Sequence, residues 1–226
     1  FGVVDYGQLP SGLYLYYSDN FSTISTNWLK WGLPLPSIVT DTGASNGYAF
    51  STNGDSNYES GAVLNSTPVP TSGSFIINFR ARQQYYSSIL SPSGFFYTYI
   101  IVEIRTLPGI ESDTIGTQGI THASIEIDGG RSGASGSTQA IHFYTVGGTY
   151  TPIITDGEND EEYHDYQIIN TVIGDGNVGY TLKKDGVERA YGETVLTANE
   201  NYYISVRGRS RQDGIENYLD NIRVEN

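Results

Sequence analysis

Short apolar and β-branched runs, broken by Gly, Asp, Asn and Pro, recur from one end of this chain to the other. Residues 75–82 (FIINFRAR) alternate apolar and polar from Ile77 onward, as a strand with one buried face does. Residues 95–104 (FFYTYIIVEI) are almost continuously apolar or aromatic, which predicts a strand buried on both faces. Further strands are predicted over 123–127, 140–146, 163–170, 178–183, 202–207 and 218–224. No segment longer than about two turns carries the 3.6-residue period of an amphipathic helix.

The punctuation between these runs is that of tight turns. Asp185-Gly186 separates two β-prone segments and tolerates positive φ, so it predicts a hairpin. Asp128-Gly129-Gly130, Gly147-Gly148 and Asp213-Gly214 are read as breaks in the same way. The leading stretch 1–17 (FGVVDYGQLPSGLYLYY) is more apolar than a free terminus should be, with strands around Pro10-Ser11-Gly12. It is set apart as an N-terminal strand segment, and 18–226 as one β-sandwich domain without internal repeats. The fold expected is all-β, a two-sheet antiparallel jelly-roll sandwich.

Composition narrows the function classes. Charged residues are only 16% of the chain, against 27 Gly, 8 Pro and 19 Tyr, which suits many short strands on a Ser/Thr/Tyr-rich surface. Cys and Met are both absent, so no disulfide framework supports the fold and the core must suffice, as it can at 226 residues. The net charge of −13 with twelve scattered Lys and Arg forms no basic patch, which excludes nucleic acid as a partner. No apolar run reaches the ~18–20 residues of a membrane-spanning helix. The first residue is Phe, as expected of a processed or trimmed chain, and Asn20 and Asn65 head Asn-x-Ser/Thr glycosylation triplets. Together these predict an extracellular or cell-surface protein.

Three segments in order resemble the concanavalin A-like lectin and glucanase superfamily, which includes laminin-G-like modules. Asp19-Asn20-Phe21-Ser22 with Trp28 resembles its opening motif. The run from Tyr163-His164-Asp165-Tyr166 to Tyr180 and Asp185-Gly186 resembles its strand-and-hairpin pair, with Tyr163 where a Trp is usual. Tyr218-Leu219-Asp220-Asn221-Ile222-Arg223-Val224 resembles its closing strand. The resemblance implies two packed sheets, one concave and often used for sugars.

Glucanases on this fold carry paired carboxylates as E-x-D-x-x-E on one strand, because hydrolysis needs an acid and a second carboxylate across the bond. Glu126 and Asp128 supply two of these, but Arg131 stands in the last place, and Gly129-Gly130 is read as the strand's end. The chain is therefore read as not an enzyme. His122, His142 and His164 fall on three different strands and form no local metal motif. Calcium is the expected cofactor, either between Asp19 and Asp220 in the opening and closing motifs or in the acidic loop holding Asp156, Glu158 and Asp160. Each motif Asp has an equally open alternative, that of capping a turn. Sugar stacking would fall to Tyr85, Tyr86, Tyr97 and Tyr99, although Tyr also packs well on any sheet; Trp28 and Trp31, near the opening motif, are further aromatic candidates but are read as core or edge packing.

Two functions fit. The first is a non-catalytic extracellular structural subunit that self-associates into a filament, its apolar N-terminal strand adding to its own sheet or to that of the next copy. The alternative is a carbohydrate-binding module or lectin with a polysaccharide or glycan partner; a glycoside hydrolase comes third.

Overall fold

A computed structural model describes residues 15–23, 27–32, 35–52, 60–64, 74–83, 96–105, 121–132, 140–145, 154–156, 160–174, 176–195, 203–209 and 217–226. Among them every regular element is a strand. In chain order these are β1 (Leu15–Asp19), β2 (Trp28–Gly32), β3 (Ser37–Thr40), β4 (Tyr48–Ser51), β5 (Ser60–Leu64), β6 (Phe75–Gln83), β7 (Phe96–Arg105) and β8 (Thr121–Ser132). There follow β9 (Ala140–Thr145), β10 (Ile154–Asp156), β11 (His164–Gly174), β12 (Asn177–Lys184), β13 (Val187–Val195), β14 (Tyr203–Arg209) and β15 (Asn217–Glu225).

They form two antiparallel sheets. One runs β13-β12-β11-β6-β15-β4-β3, with β1 also paired to β15; the other runs β10-β9-β8-β7-β14-β5-β2. The side chains between them follow the two-residue period of a strand. Ile77, Phe79, Tyr166, Ile168, Tyr180 and Leu182 come from the eight-stranded sheet, and Ile100, Val102, Ile125, Phe143, Ile204 and Val206 from the seven-stranded one, all in one buried cluster.

The all-β, two-sheet expectation holds, and the opening and closing motifs lie on neighbouring strands, with Asp19 opposite Ile222. The Asp185-Gly186 hairpin also holds. Lys184 pairs with Val187, and both turn residues have positive φ, +50° and +77°, as a two-residue type I′ turn requires.

Two readings change. Gly129-Gly130 does not end its strand: β8 continues to Ser132, with Tyr97 opposite Arg131 and Tyr99 opposite Asp128. One extra β8 residue is taken up there as a bulge, which glycine accommodates at little steric cost. The boundary at residue 17 falls inside β1, whose Leu15 and Tyr17 pair with Glu225 and Val224 of the same chain. The remainder of the leading segment, 1–14, lies outside the described residues.

Candidate functional site

Residues that alternate with the core cluster on the seven-stranded sheet face outward, and there the polar side chains concentrate. The register defines two rows across it. One runs Tyr144 (β9), Ser124 (β8), Glu103 (β7), Ser205 (β14); the other runs His142, Glu126, Ile101, Arg207 and then Gly61 and Trp31 on β5 and β2. Glu103 sits at the centre, with none of its surface exposed. Arg207 Nε donates to its Oε1 at 3.0 Å and Arg105 Nη1 donates to the same oxygen at 3.2 Å.

A carboxylate this buried is tolerated because two guanidiniums offset its desolvation. The serines flanking it differ. Ser124 and Ser205 are 0% and 1% exposed, and neither hydroxyl has a hydrogen-bond partner among the described residues. An unmet buried hydroxyl costs about 1–3 kcal/mol, so their presence beside a charged centre needs a reason other than packing. Glu126 is also buried, directly opposite His142.

Of the tyrosines expected to meet a sugar, Tyr99 shares this face, two residues before Ile101, half-buried. Tyr97 is in β7, its side chain outside the described residues; Tyr85 and Tyr86 lie wholly outside them, as do Asn65 and Glu158. Trp28 packs in the core, edge-on to Tyr17 and stacked on Phe50. Glu103, Arg105 and Arg207 were not singled out from the sequence. The available signal was a lone Glu inside the most apolar strand of the chain, where a charge survives only if paired.

The outer face of the other sheet holds a second network. Asp41, after β3, accepts from Tyr163 Oη at 2.7 Å, from Arg82 Nε and Nη2 at 3.1 and 2.8 Å, and from the Gly43 N–H at 2.9 Å. Burial pushes the Asp41 carboxyl upward, but the Gly43 N–H, the Tyr163 hydroxyl and the Arg82 charge outweigh it and hold Asp41 below the usual carboxylate range. Burial and the adjacent Asp41 charge push the Tyr163 hydroxyl far above the ordinary phenol range, so it remains a donor. The Arg80 and Arg82 guanidiniums lie 4.6 and 5.2 Å from the Tyr163 ring centre. Tyr163, in the place of the usual Trp, thus adds a hydroxyl that anchors the β3–β4 loop. A half-open cleft of about 320 Å³ lies here, between that loop and residues 160–163.

Asp19 and Asp220 do not fit a shared calcium site. Asp19 accepts from the Phe21 N–H at 2.8 Å, Tyr17 Oη at 2.8 Å and Trp28 Nε1 at 3.1 Å, against the core. It caps the turn in which Phe21 takes a positive φ of 52°. Asp220 is turned to the outer face, where Arg80 Nη1 and Ser45 hold it. Among the described residues no group of three or more His, Asp and Glu converges on a metal position. Asp160 accepts from the Glu162 N–H at 3.1 Å and faces His164 Nε2 at 2.9 Å, while His164 Nδ1 meets Asp185 at 2.7 Å. The Asp156 side chain lies outside the described residues. Asn20 is exposed, its amide oxygen accepting from the Ser22 N–H at 3.2 Å.

No protein-family model and no curated protein matches the sequence. Solved structures do match in shape. The chain is similar to the carbohydrate recognition domain of Emp47p, with a TM-score of 0.63 at 14% identity over 96% of this chain and 98% of that one. The chain has the concanavalin-like lectin fold. The same lectin fold is shared with the exoplasmic/lumenal domain of VIP36 in its Ca2+/Man-bound form (TM-score 0.52, 8% identity, 88% of this chain and 82% of that one). It also matches the carbohydrate esterase vb_24B_21 from the Shiga toxin-encoding bacteriophage phi24B (TM-score 0.54, 14% identity, 88% and 89% of the two chains). Identities this low establish the fold of the chain and leave its ligand to the site.

Proposed function

We propose that this chain is a non-catalytic carbohydrate-binding domain of the lectin type, acting on the extracellular or lumenal side of a membrane. One observation carries the reading: the outer face of the seven-stranded sheet presents half-buried Tyr99, Arg105, His142, Tyr144 and Arg207 around a closed Glu103 centre, beside which the Ser124 and Ser205 hydroxyls have no partner among the described residues. Fixed donors and acceptors packed beside half-buried aromatic side chains suit a hydroxyl-rich ligand, which presents both hydrogen-bonding groups and apolar ring faces. The likeness to carbohydrate recognition domains supports the same reading.

The filament reading is weaker. Part of the apolar segment on which it rests, Leu15–Tyr17, is paired with the chain's own β15. Self-association through residues 1–14 stays a proposal. Calcium is retained on the VIP36 likeness, with the acidic segment containing Asp156, Glu158 and Asp160 as its place, since protein donors take both carboxylate oxygens of Asp19 and of Asp220, whereas Asp160 is exposed and engages Glu162 and His164 through Oδ1. Catalysis is not proposed, because Glu103 is held by two guanidiniums and so is poorly placed to act as a general acid.

The test is titration of the intact chain against a panel of neutral and acidic oligosaccharides by calorimetry, with Glu103→Gln in parallel. Saturable binding by the wild type, weakened by Glu103→Gln, is expected. Absence of binding across the panel at millimolar sugar would overturn the reading.

A further inference from the structure

Four strands end the two sheets, β13 and β3 in one, β10 and β2 in the other. Three of them are blunted as edges usually are. β3 and β10 have four and three residues, and β2, with five, carries Lys30. β13 is different. It runs for nine residues (VERAYGETV) without Pro or Lys, and Val187, Tyr191 and Val195 are 53%, 47% and 63% exposed. Among the described residues nothing pairs with its outer edge. An edge this long and apolar is a template for another strand.

The order of residues on β13 selects that strand. Tyr191 is its midpoint, with Arg189 two places before and Glu193 two places after. Two copies related by a two-fold axis perpendicular to the sheet pair antiparallel, and residues directly opposite must share a face. Each register therefore sets one residue opposite its own copy. Centring on Arg189 or on Glu193 opposes like charges, which destabilises the pair. Centring on Ala190 or Gly192 leaves both charges opposite uncharged residues. Centring on Tyr191 sets Arg189 opposite Glu193 twice, with Ala190 opposite Gly192 between them. Registers centred further out pair fewer residues.

The local geometry suits that register. The Tyr191 ring leans back over Gly179 of β12, where an added Cβ would meet Tyr191 Oη at 2.7 Å, so the ring lies away from the open edge. Tyr191 Oη donates to Glu193 Oε1 at 2.9 Å and so fixes the carboxylate that would meet Arg189. From Ala190 to Val195 the strand pairs regularly with β12. The bulge at Arg189, where Leu182 pairs with Ala190 and Lys183 with Glu188, ends the match.

We propose that a second copy of this chain pairs with β13 across a two-fold axis at Tyr191, joining the two eight-stranded sheets in a closed dimer. The inference is independent of the carbohydrate-binding reading. It also differs from a filament, since each edge is consumed by its own copy and the assembly stops at two. Both seven-stranded sheets then lie on the same side of the joined sheet, which makes the dimer bivalent for any ligand of their outer faces.

One strand edge is small beside the roughly 1,600 Å² of a standard interface, so dimerisation is expected at about 0.01–1 mM. Sedimentation of the intact chain across that range should show a monomer–dimer equilibrium, and circular dichroism melting checks that each variant is folded. Glu193→Arg, which puts two like charges opposite, should weaken the dimer about tenfold or more. Adding Arg189→Glu to it should restore association to within about threefold of the wild type. The chain has no cysteine, so a single introduced thiol reports on its own copy. Oxidation should cross-link Tyr191→Cys, whose thiols lie opposite each other, and leave Val195→Cys, ~27 Å from its copy in this register, unlinked. A wild type that stays monomeric up to about 1 mM overturns the dimer. Cross-linking at Val195 rather than at Tyr191, or a charge swap that does not restore association, overturns the register. Growth beyond two copies overturns the closed assembly.

Discussion

Asp220 and Ser45 are 175 positions apart in sequence and joined twice, the Ser45 N–H donating to Oδ2 at 2.9 Å and its hydroxyl to Oδ1 at 2.8 Å. Asp220 is the bulged residue of β15, between the half that pairs with β4 and the half that pairs with β1. The bulge turns its carboxylate to the outer face, where Arg80 Nη1 completes it at 2.7 Å. The Asp of the closing motif is thereby explained as the clamp that fixes the β3–β4 loop to the last strand.

Replacing Asp220 by Ala should destabilise the fold by about 3 kcal/mol, since it strands a guanidinium and two Ser45 donors. Urea denaturation measures this, and the loss should be the same with calcium and with chelator. A calcium-dependent loss would return Asp220 to the role of metal ligand.

The Asp41–Arg82–Tyr163 network predicts a pH dependence. Asp41 is held below its ordinary pKa in the folded state, so its contribution is fully present above the unfolded value of about 4 and is lost as pH falls through the folded value. Asp160, which His164 and the Glu162 N–H lower against the opposing effect of burial, acts in the same direction. The melting temperature should fall steeply below about pH 4, and Asp41→Asn should flatten that fall while lowering stability at pH 7. Parallel acid curves for the two proteins would contradict it.

Gly186, with φ of +77° and nothing within 4 Å of an added Cβ, isolates a purely backbone effect. Gly186→Ala should cost about 1 kcal/mol and leave ligand affinity unchanged. A loss of several kcal/mol would mean that the turn does more than reverse the chain.

Much of the fold was legible because its signals are local. The Asp185-Gly186 turn names its own geometry, and β6 alternates buried and half-buried residues without a break from Phe75 to Gln83. The opening and closing motifs meet as the resemblance implied, but their aspartates serve structure. The polar floor was hidden because it is assembled across strands. Glu103 and Arg207 are 104 positions apart, so no window along the chain contains both. Gly129-Gly130 misled because a bulge and a strand end look alike in sequence. Trp31 beside Gly61 is equally invisible until β2 and β5 pair.

A chelator should move the melting temperature only through the acidic segment around Asp160. Excess EDTA is expected to lower it, as removal of any ion bound only by the folded state does, and the shift should disappear when Asp156, Glu158 and Asp160 are all changed to Asn or Gln. An EDTA effect that survives those changes would locate the ion elsewhere, and no effect at all would remove calcium from the account.

The central claim, that glycan binds on the outer face of the seven-stranded sheet, is tested most directly by backbone NMR of the labelled chain titrated with the tightest-binding oligosaccharide. The account predicts progressive shifts at Tyr99, Glu103, Arg105, His142, Tyr144 and Arg207, with the Asp41–Tyr163 cleft unmoved. Shifts confined to that cleft, or to the exposed residues of β13, would contradict it.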